Sequence, residues 1–105
     1  MSTEISVKGD VLTAFLSGEI DHHSASDMRS IIDGAIDINM PSLLVLDFAK
    51  VTFMDSSGIG LVMGRYGKLS KTGAKLHISN MPINIYKVMK LAGLDRLASM
   101  DKCEH

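Results

Sequence analysis

The chain has 105 residues, 46% of them hydrophobic, and eleven Lys and Arg against twelve Asp and Glu for a formal charge of −1. That size suits a single packed domain over 1–105 and is too small for two, while the near-neutral balance carries no electrostatic footprint for nucleic acid. No apolar run approaches the roughly 20 residues that cross a bilayer, the lone Cys103 cannot form an internal disulfide, and the start Met-Ser-Thr-Glu-Ile lacks the basic and apolar regions of a signal peptide, so a soluble, cytoplasmic protein is expected.

Ile5 and Val7, then Val11, Thr13 and Phe15, alternate on either side of Gly9-Asp10, which predicts an antiparallel hairpin of two strands. Ser24 stands three residues before Asp27 and precedes Met28, Ile31, Ile32 and Ala35 at helical spacing, so a capped amphipathic helix is expected over about 24–38. Asn39-Met40-Pro41 closes it. The apolar run Leu43-Leu44-Val45-Leu46 reads as a strand buried on both faces, over about 42–47. A helix follows at 57–71, with Ile59, Val62, Met63, Tyr66 and Leu69/Ser70 as its apolar stripe. A turn at Thr72-Gly73 and a strand at 74–79 complete a β-α-β unit whose crossover should be right-handed. Pro82 suits a first helical turn, Ile85, Val88 and Met89 form a stripe, and Gly93 is a good residue just past a helix end, giving a last helix over about 82–92. The tail after Leu97 shows too little pattern to assign. These elements predict an α/β fold, with helices packed on a small mixed sheet.

The most informative segment is Met54-Asp55-Ser56-Ser57-Gly58-Ile59-Gly60, where a carboxylate and two hydroxyls meet a helix start. Asp55, Ser56 or Ser57 can cap the helix, accepting from amides that have no partner in the first turn. The same amides and dipole also favour a phosphate, which makes a serine here a candidate phosphoswitch. Gly60, Gly64 and Gly67 share one face of this helix, and each interior glycine costs about 1 kcal/mol relative to alanine. Either the face packs closely on the domain itself or a partner's backbone approaches it. Arg65 and Lys68 lie further round, where solvation is expected.

Other chemistry finds little support. His22 and His23 are adjacent, expected in a loop before the first helix, and no His, Cys or carboxylate set at metal-ligand spacing accompanies them. His77 alternates with Leu76 and Ile78, which suits a surface or edge position. No Gly-x-Ser-x-Gly elbow, dinucleotide fingerprint or Walker loop is present, so no enzyme and no cofactor are expected. Met28, Met63 and Met89 fall on predicted core stripes as fillers of irregular gaps, while Met54 and Met81, at element boundaries, are better candidates for an exposed contact.

Phe53-Met54-Asp55-Ser56-Ser57-Gly58-Ile59-Gly60, followed by Gly64-Arg65-Tyr66 and preceded by Gly18-Glu19-Ile20-Asp21-His22-His23-Ser24-Ala25, resembles the STAS family of anti-sigma factor antagonists, its sporulation branch most closely. The resemblance runs from about Val7 to Leu97. It implies a single STAS-like domain and a partner-switching function. In that family the unphosphorylated protein binds an anti-sigma factor and releases the sigma factor, and the anti-sigma factor, a serine kinase, phosphorylates the serine directly after the motif aspartate. That position here is Ser56, with Ser57 as fallback, and a phosphoprotein phosphatase would reverse the step. The candidate partner-binding residues are Asp21, which matches a family position near that serine, together with Met54, Asp55, Ser57, Gly58, Gly60 and Gly64. The alternative is a STAS-like small-ligand or nucleotide-binding module in which the same helix amides hold an anion.

Overall fold

The hairpin, the crossover units and the helices appear in the expected order in the structure, a computed structural model describing residues 2–103. Strands β1 (Ser2–Lys8) and β2 (Val11–Ile20) pair antiparallel around Gly9-Asp10, where Gly9 takes the positive φ of 61° that the turn requires. Helix α1 (His22–Asn39), β3 (Leu43–Met54), α2 (Ser56–Ser70), β4 (Lys75–Met81), α3 (Ile83–Leu91), a short 3-10 turn (Leu94–Arg96) and β5 (Ser99–Lys102) follow. The five strands lie in the order β1-β2-β3-β4-β5, parallel from β2 onward, so each helix is a crossover to the adjacent strand.

One sheet face is buried and the other open. Leu12, Ala14, Leu16 and Ile20 of β2, Leu44, Leu46, Phe48 and Val51 of β3, and Leu76, Ile78 and Met81 of β4 join Met28, Ile32, Val62, Leu69, Ile85 and Met89 of the helices in a single core. Alternate positions, among them Thr13, Phe15, Val45, Asp47, His77 and Ser79, stay partly or fully exposed. The 43–46 run is therefore covered on one face only, and the hairpin positions Val11, Thr13 and Phe15 lie outside the core. Period-2 alternation decides this, since successive side chains point to opposite faces.

β3 runs to Met54, seven residues beyond the predicted end. Against β2 it carries extra residues where the register shifts, between the pairs at Phe15 and Ser17 and again between Gly18 and Glu19. Such bulges insert an unpaired residue and reset which face a side chain occupies. The first one carries the buried positions from Leu46 and Phe48 to Val51.

Local details differ from expectation in physically readable ways. α1 starts two residues early, so His22 and His23 lie in its first turn, and Asp21 rather than Ser24 is the N-cap. Its buried stripe is Ser24, Met28, Ile32 and Ile36, leaving Ile31 exposed. The stripe on α2 is Gly58, Leu61, Val62, Arg65 and Leu69, rotated from the predicted one, so Met63 is 49% exposed and Ile59 and Tyr66 are partly buried. Val88 is exposed and Met81 fully buried, reversing both expectations. β4 is an interior strand because the unassigned tail supplies β5 beside it, and His77 is bound there, with Nδ1 at 2.6 Å from Ser99 Oγ and Nε2 at 3.0 Å from Asp101. α3 ends as predicted, with Gly93 in the left-handed region at φ 84°. No helix among the described residues is long and apolar enough to cross a membrane.

Candidate functional site

Parallel pairing of β2 with β3 places Ile20 opposite Met54, so the residues that follow them, Asp21 and Asp55, leave the carboxyl edge of the sheet side by side. Each is the N-cap of the helix it enters. The main chain ties the two exits together, Asp55 N donating to Ile20 O at 3.1 Å. Two helix N-termini, each with its orphan amides and partial positive charge, thus open on one end of the molecule.

Asp21 makes a complete capping box. Its Oδ1 accepts from Ser24 N at 2.9 Å, and its own N–H donates to Ser24 Oγ at 2.9 Å. Ser24 Oγ donates in turn to Glu19 O at 2.7 Å, which fixes the β2 exit. The amide of Ser24, with smaller help from its hydroxyl and from His23, holds the Asp21 carboxyl below the usual carboxylate range. Asp55 Oδ1 accepts from Ser57 N at 2.8 Å, and Asp55 O accepts from Gly58 N at 3.0 Å. The cap is made by the aspartate, so the exposed Ser56, first residue of α2, and the half-buried Ser57 are both released from capping by side chain.

Gly58 faces inward. A Cβ there would collide with Cγ and Sδ of the half-buried Met54 and touch Ile20 Cγ2 at 3.4 Å, so this glycine allows the β3 exit to lie close against α2. Gly60, Gly64 and Gly67 are different: a Cβ at any of them would meet nothing within 4 Å. The glycine face is therefore open surface, and it does not pack within the domain.

Arg65 corrects the expectation of solvation most sharply. It is 5% exposed, and its Nε lies 2.8 Å from Asp33 Oδ1 of α1 while Nη1 donates to Leu61 O at 3.3 Å. The Nε–Oδ1 approach is an ion pair rather than a directed hydrogen bond, because the N–H points off the line to the oxygen. Burial pulls the guanidinium below its ordinary pKa, Asp33 opposes that, and Arg29 adds to it. Lys68 likewise reaches Asp37 of α1 at 2.8 Å, mostly in solvent. Two rungs of charge thus fix α2 against α1 and hold the edge of the site.

The predicted residues Asp21, Met54, Asp55, Ser56, Ser57, Gly60 and Gly64 accordingly lie along one edge, from the sheet's carboxyl end down the exposed side of α2, whereas Gly58, expected to touch a partner, is buried beneath that edge against Met54 and Ile20. His77 and Cys103 lie elsewhere, on the open sheet face and its edge. No group of three His, Cys, Asp or Glu among the described residues could hold a metal. The sequence profile of the STAS domain matches residues 2–104. The chain belongs to the STAS family. An anti-sigma F factor antagonist of Paenibacillus polymyxa is 32% identical over 87 residues, 83% of this chain and 74% of that protein, and one of Lysinibacillus sphaericus is 34% identical over 79 residues, 75% and 68% respectively. The unphosphorylated anti-sigma factor antagonist SpoIIAA superposes with a TM-score of 0.82 at 28% identity, over 96% of this chain and 89% of that one. The phosphorylated form of SpoIIAA from Bacillus gives 0.75 over 96% and 92% at the same identity. Among the described residues the fold is a single STAS domain with a mixed five-stranded sheet and three helices.

Proposed function

We propose that this protein is an anti-sigma factor antagonist, switched off by phosphorylation at Ser56. The observation that carries the proposal is the place of Ser56: exposed, at the first position of α2, with the capping role taken by Asp55. Similarity to anti-sigma F factor antagonists and to SpoIIAA in two phosphorylation states supports it. In the unphosphorylated state the edge formed by Asp21, Met54, Asp55, Ser57, Gly60 and Gly64 binds an anti-sigma factor, and the sigma factor is released. The anti-sigma factor acts as a serine kinase, transferring the γ-phosphoryl group of ATP to Ser56 Oγ with loss of the hydroxyl proton and release of ADP. A phosphoprotein phosphatase resets the protein.

The switch follows from charge. A phosphoserine brings about −1.5 to −2 charge at pH 7, next to Asp55 and across the β2–β3 exit from Asp21. Burying that charge unpaired in an interface costs several kcal/mol, a loss of affinity of about 100-fold or more. The dipole of α2 and its free amides stabilise the same phosphate in the unbound protein, so binding changes while the fold is kept. The role is that of a substrate and binding partner, with no catalytic residue of its own.

Calorimetric titration of the purified anti-sigma factor with wild type, Ser56→Ala and Ser56→Asp tests the reading. Wild type and Ser56→Ala should bind alike, and Ser56→Asp should bind more weakly, with the difference shrinking as salt rises. Equal affinity of all three proteins would sink the electrostatic switch.

A further inference from the structure

Beside Ser57, between the N-terminal half of α1 and the first ten residues of α2, lies a groove of about 420 Å³ whose charge is one-sided. Its cationic lining is Arg29 of α1 and Arg65 of α2, with the His22 imidazole beside them, and no carboxylate lines it. Gly60 and Gly64 leave its α2 wall without side chains. The arrangement stands out in a chain of net charge −1.

Two guanidiniums share this groove with a single counter-ion behind them. Arg65 is buried and spends Nε on Asp33 and Nη1 on the Leu61 carbonyl, so neither contact uses Nη2. Arg29 has no ion-pair partner among the described residues, and it lies close enough for its charge to disfavour protonation of Arg65. Like charges held together across a concave, partly desolvated space are costly unless an anion enters between them. A guanidinium fork matches a carboxylate bidentately, and a wall of two glycines admits a peptide backbone that any larger side chain would hold away.

We propose that the α1–α2 groove is a recognition site for an acidic segment of the protein partner, whose carboxylate pairs with Arg29 and the free edge of Arg65 while its backbone lies on Gly60 and Gly64. The assignment of the partner as an anti-sigma factor rests on the function proposed above; the acidic chemistry of the segment rests on the groove alone. Since Ser57 is part of the lining and Ser56 precedes it, a phosphoryl group on the switch serine enters the same field of cations. It competes there with the partner's carboxylate, which adds displacement to the repulsion already described.

Arg29 is exposed, so its substitution leaves the core intact and separates recognition from folding. Capped tetraglutamate titrated into the isotope-labelled protein should shift the amide resonances of Gly60, Gly64 and Arg29, and these shifts should vanish in Arg29→Glu, at high salt, and when tetralysine replaces the acidic probe. No shift at Gly60 and Gly64, or the same shifts in Arg29→Glu, overturns the groove as an acid-binding site. Shifts produced by inorganic phosphate and not by tetraglutamate would also overturn it, in favour of a small-anion site. In a second arm the purified anti-sigma factor should bind Arg29→Ala roughly tenfold more weakly than wild type, as for loss of one charge-assisted contact, and Arg29→Glu more weakly still. Undiminished binding of Arg29→Glu refutes the partner assignment of the groove. An anti-sigma factor that fails to bind wild type at all removes the proposed function, and the peptide titration still decides the groove.

Discussion

Gly64→Ala is expected to stabilise the protein while weakening its binding to the partner, a combination that few substitutions produce. Gly64 lies in the interior of α2, where exchange of glycine for alanine is worth about 1 kcal/mol in helix propensity, partly through the reduced freedom of the unfolded chain. The added methyl meets nothing within 4 Å, so no steric cost opposes that gain. For a domain of this size 1 kcal/mol raises Tm by roughly 4–8 °C. Gly58 is the internal control. It also lies on α2, but its Cβ would strike Met54 Cγ and Sδ, and it sits in the first turn, where the propensity gain is smaller. Gly58→Ala should therefore melt below Gly64→Ala by several degrees. Thermal unfolding followed by circular dichroism measures both, and titration of the anti-sigma factor measures the cost of the methyl to docking. A Gly64→Ala protein no more stable than wild type, or no more stable than Gly58→Ala, would refute the reading of the glycine face as open helix surface. Gain of stability with unchanged affinity would leave the face open but remove it from the interface.

Three further outcomes follow from the charge pairs. Asp33→Ala should cost on the order of 2 kcal/mol in urea denaturation, below the ~3–5 kcal/mol for breaking a fully buried pair, because the Asp33 side chain is 29% exposed and water can reach the orphaned Arg65. Stability should fall in acid through Asp21 and Asp101, whose carboxyls are both held low, the first by the Ser24 amide and the second by the Asn80 amide with help from His77. A lowered folded-state pKa means that this contribution is present above the unfolded value of about 3.9 and is lost as pH falls through the folded value; a double Asp21→Asn, Asp101→Asn variant should show a flatter acid limb, and an unaltered one would contradict the assignment. Asp21→Ala should lower Tm through loss of the cap and also weaken partner binding per folded molecule, whereas a Tm loss alone would confine Asp21 to capping.

What the sequence makes legible is the part written in local periodicity. The β-hairpin turn at Gly9-Asp10, the stop at Gly93 and the position of Ser56 at a strand-to-helix junction need only neighbouring residues to be read. Arg65 could not be placed that way. An arginine on a surface helix is solvated by default, and its burial depends on Asp33, 32 positions earlier on another helix; the one local signal is its spacing on the stripe Gly58, Leu61, Val62, Arg65 and Leu69. The cationic groove inherits the same invisibility, since it exists only when α1 and α2 pack together.

The start of α1 was ambiguous rather than hidden. Ser24 with Asp27 and Asp21 with Ser24 both have cap spacing, and the choice falls to Asp21 because β2 ends at Ile20 and Ser24 Oγ is bound by Glu19 O. β5 carries no apolar alternation of its own. Ser-Met-Asp-Lys becomes a strand through contacts made by β4, among them His77 with Ser99 and Asp101, the Asn80 N–H on Asp101 at 2.6 Å, and Cys103 N donating to Met81 O at 2.9 Å. β3 extends past Asp47 for a similar reason: its bulges are defined by register against β2, and a break in apolar alternation conceals them.

Phosphosite mapping by mass spectrometry, after incubation of the protein with ATP and its purified anti-sigma factor, tests the central claim most directly. The account predicts stoichiometric phosphate on Ser56, none on Ser56→Ala, and continued labelling of Ser57→Ala, because the α2 cap uses the Ser57 backbone amide and survives loss of its hydroxyl. Phosphate on Ser57 instead would move the switch by one residue, and absence of any transfer from an anti-sigma factor that binds the protein would contradict the account.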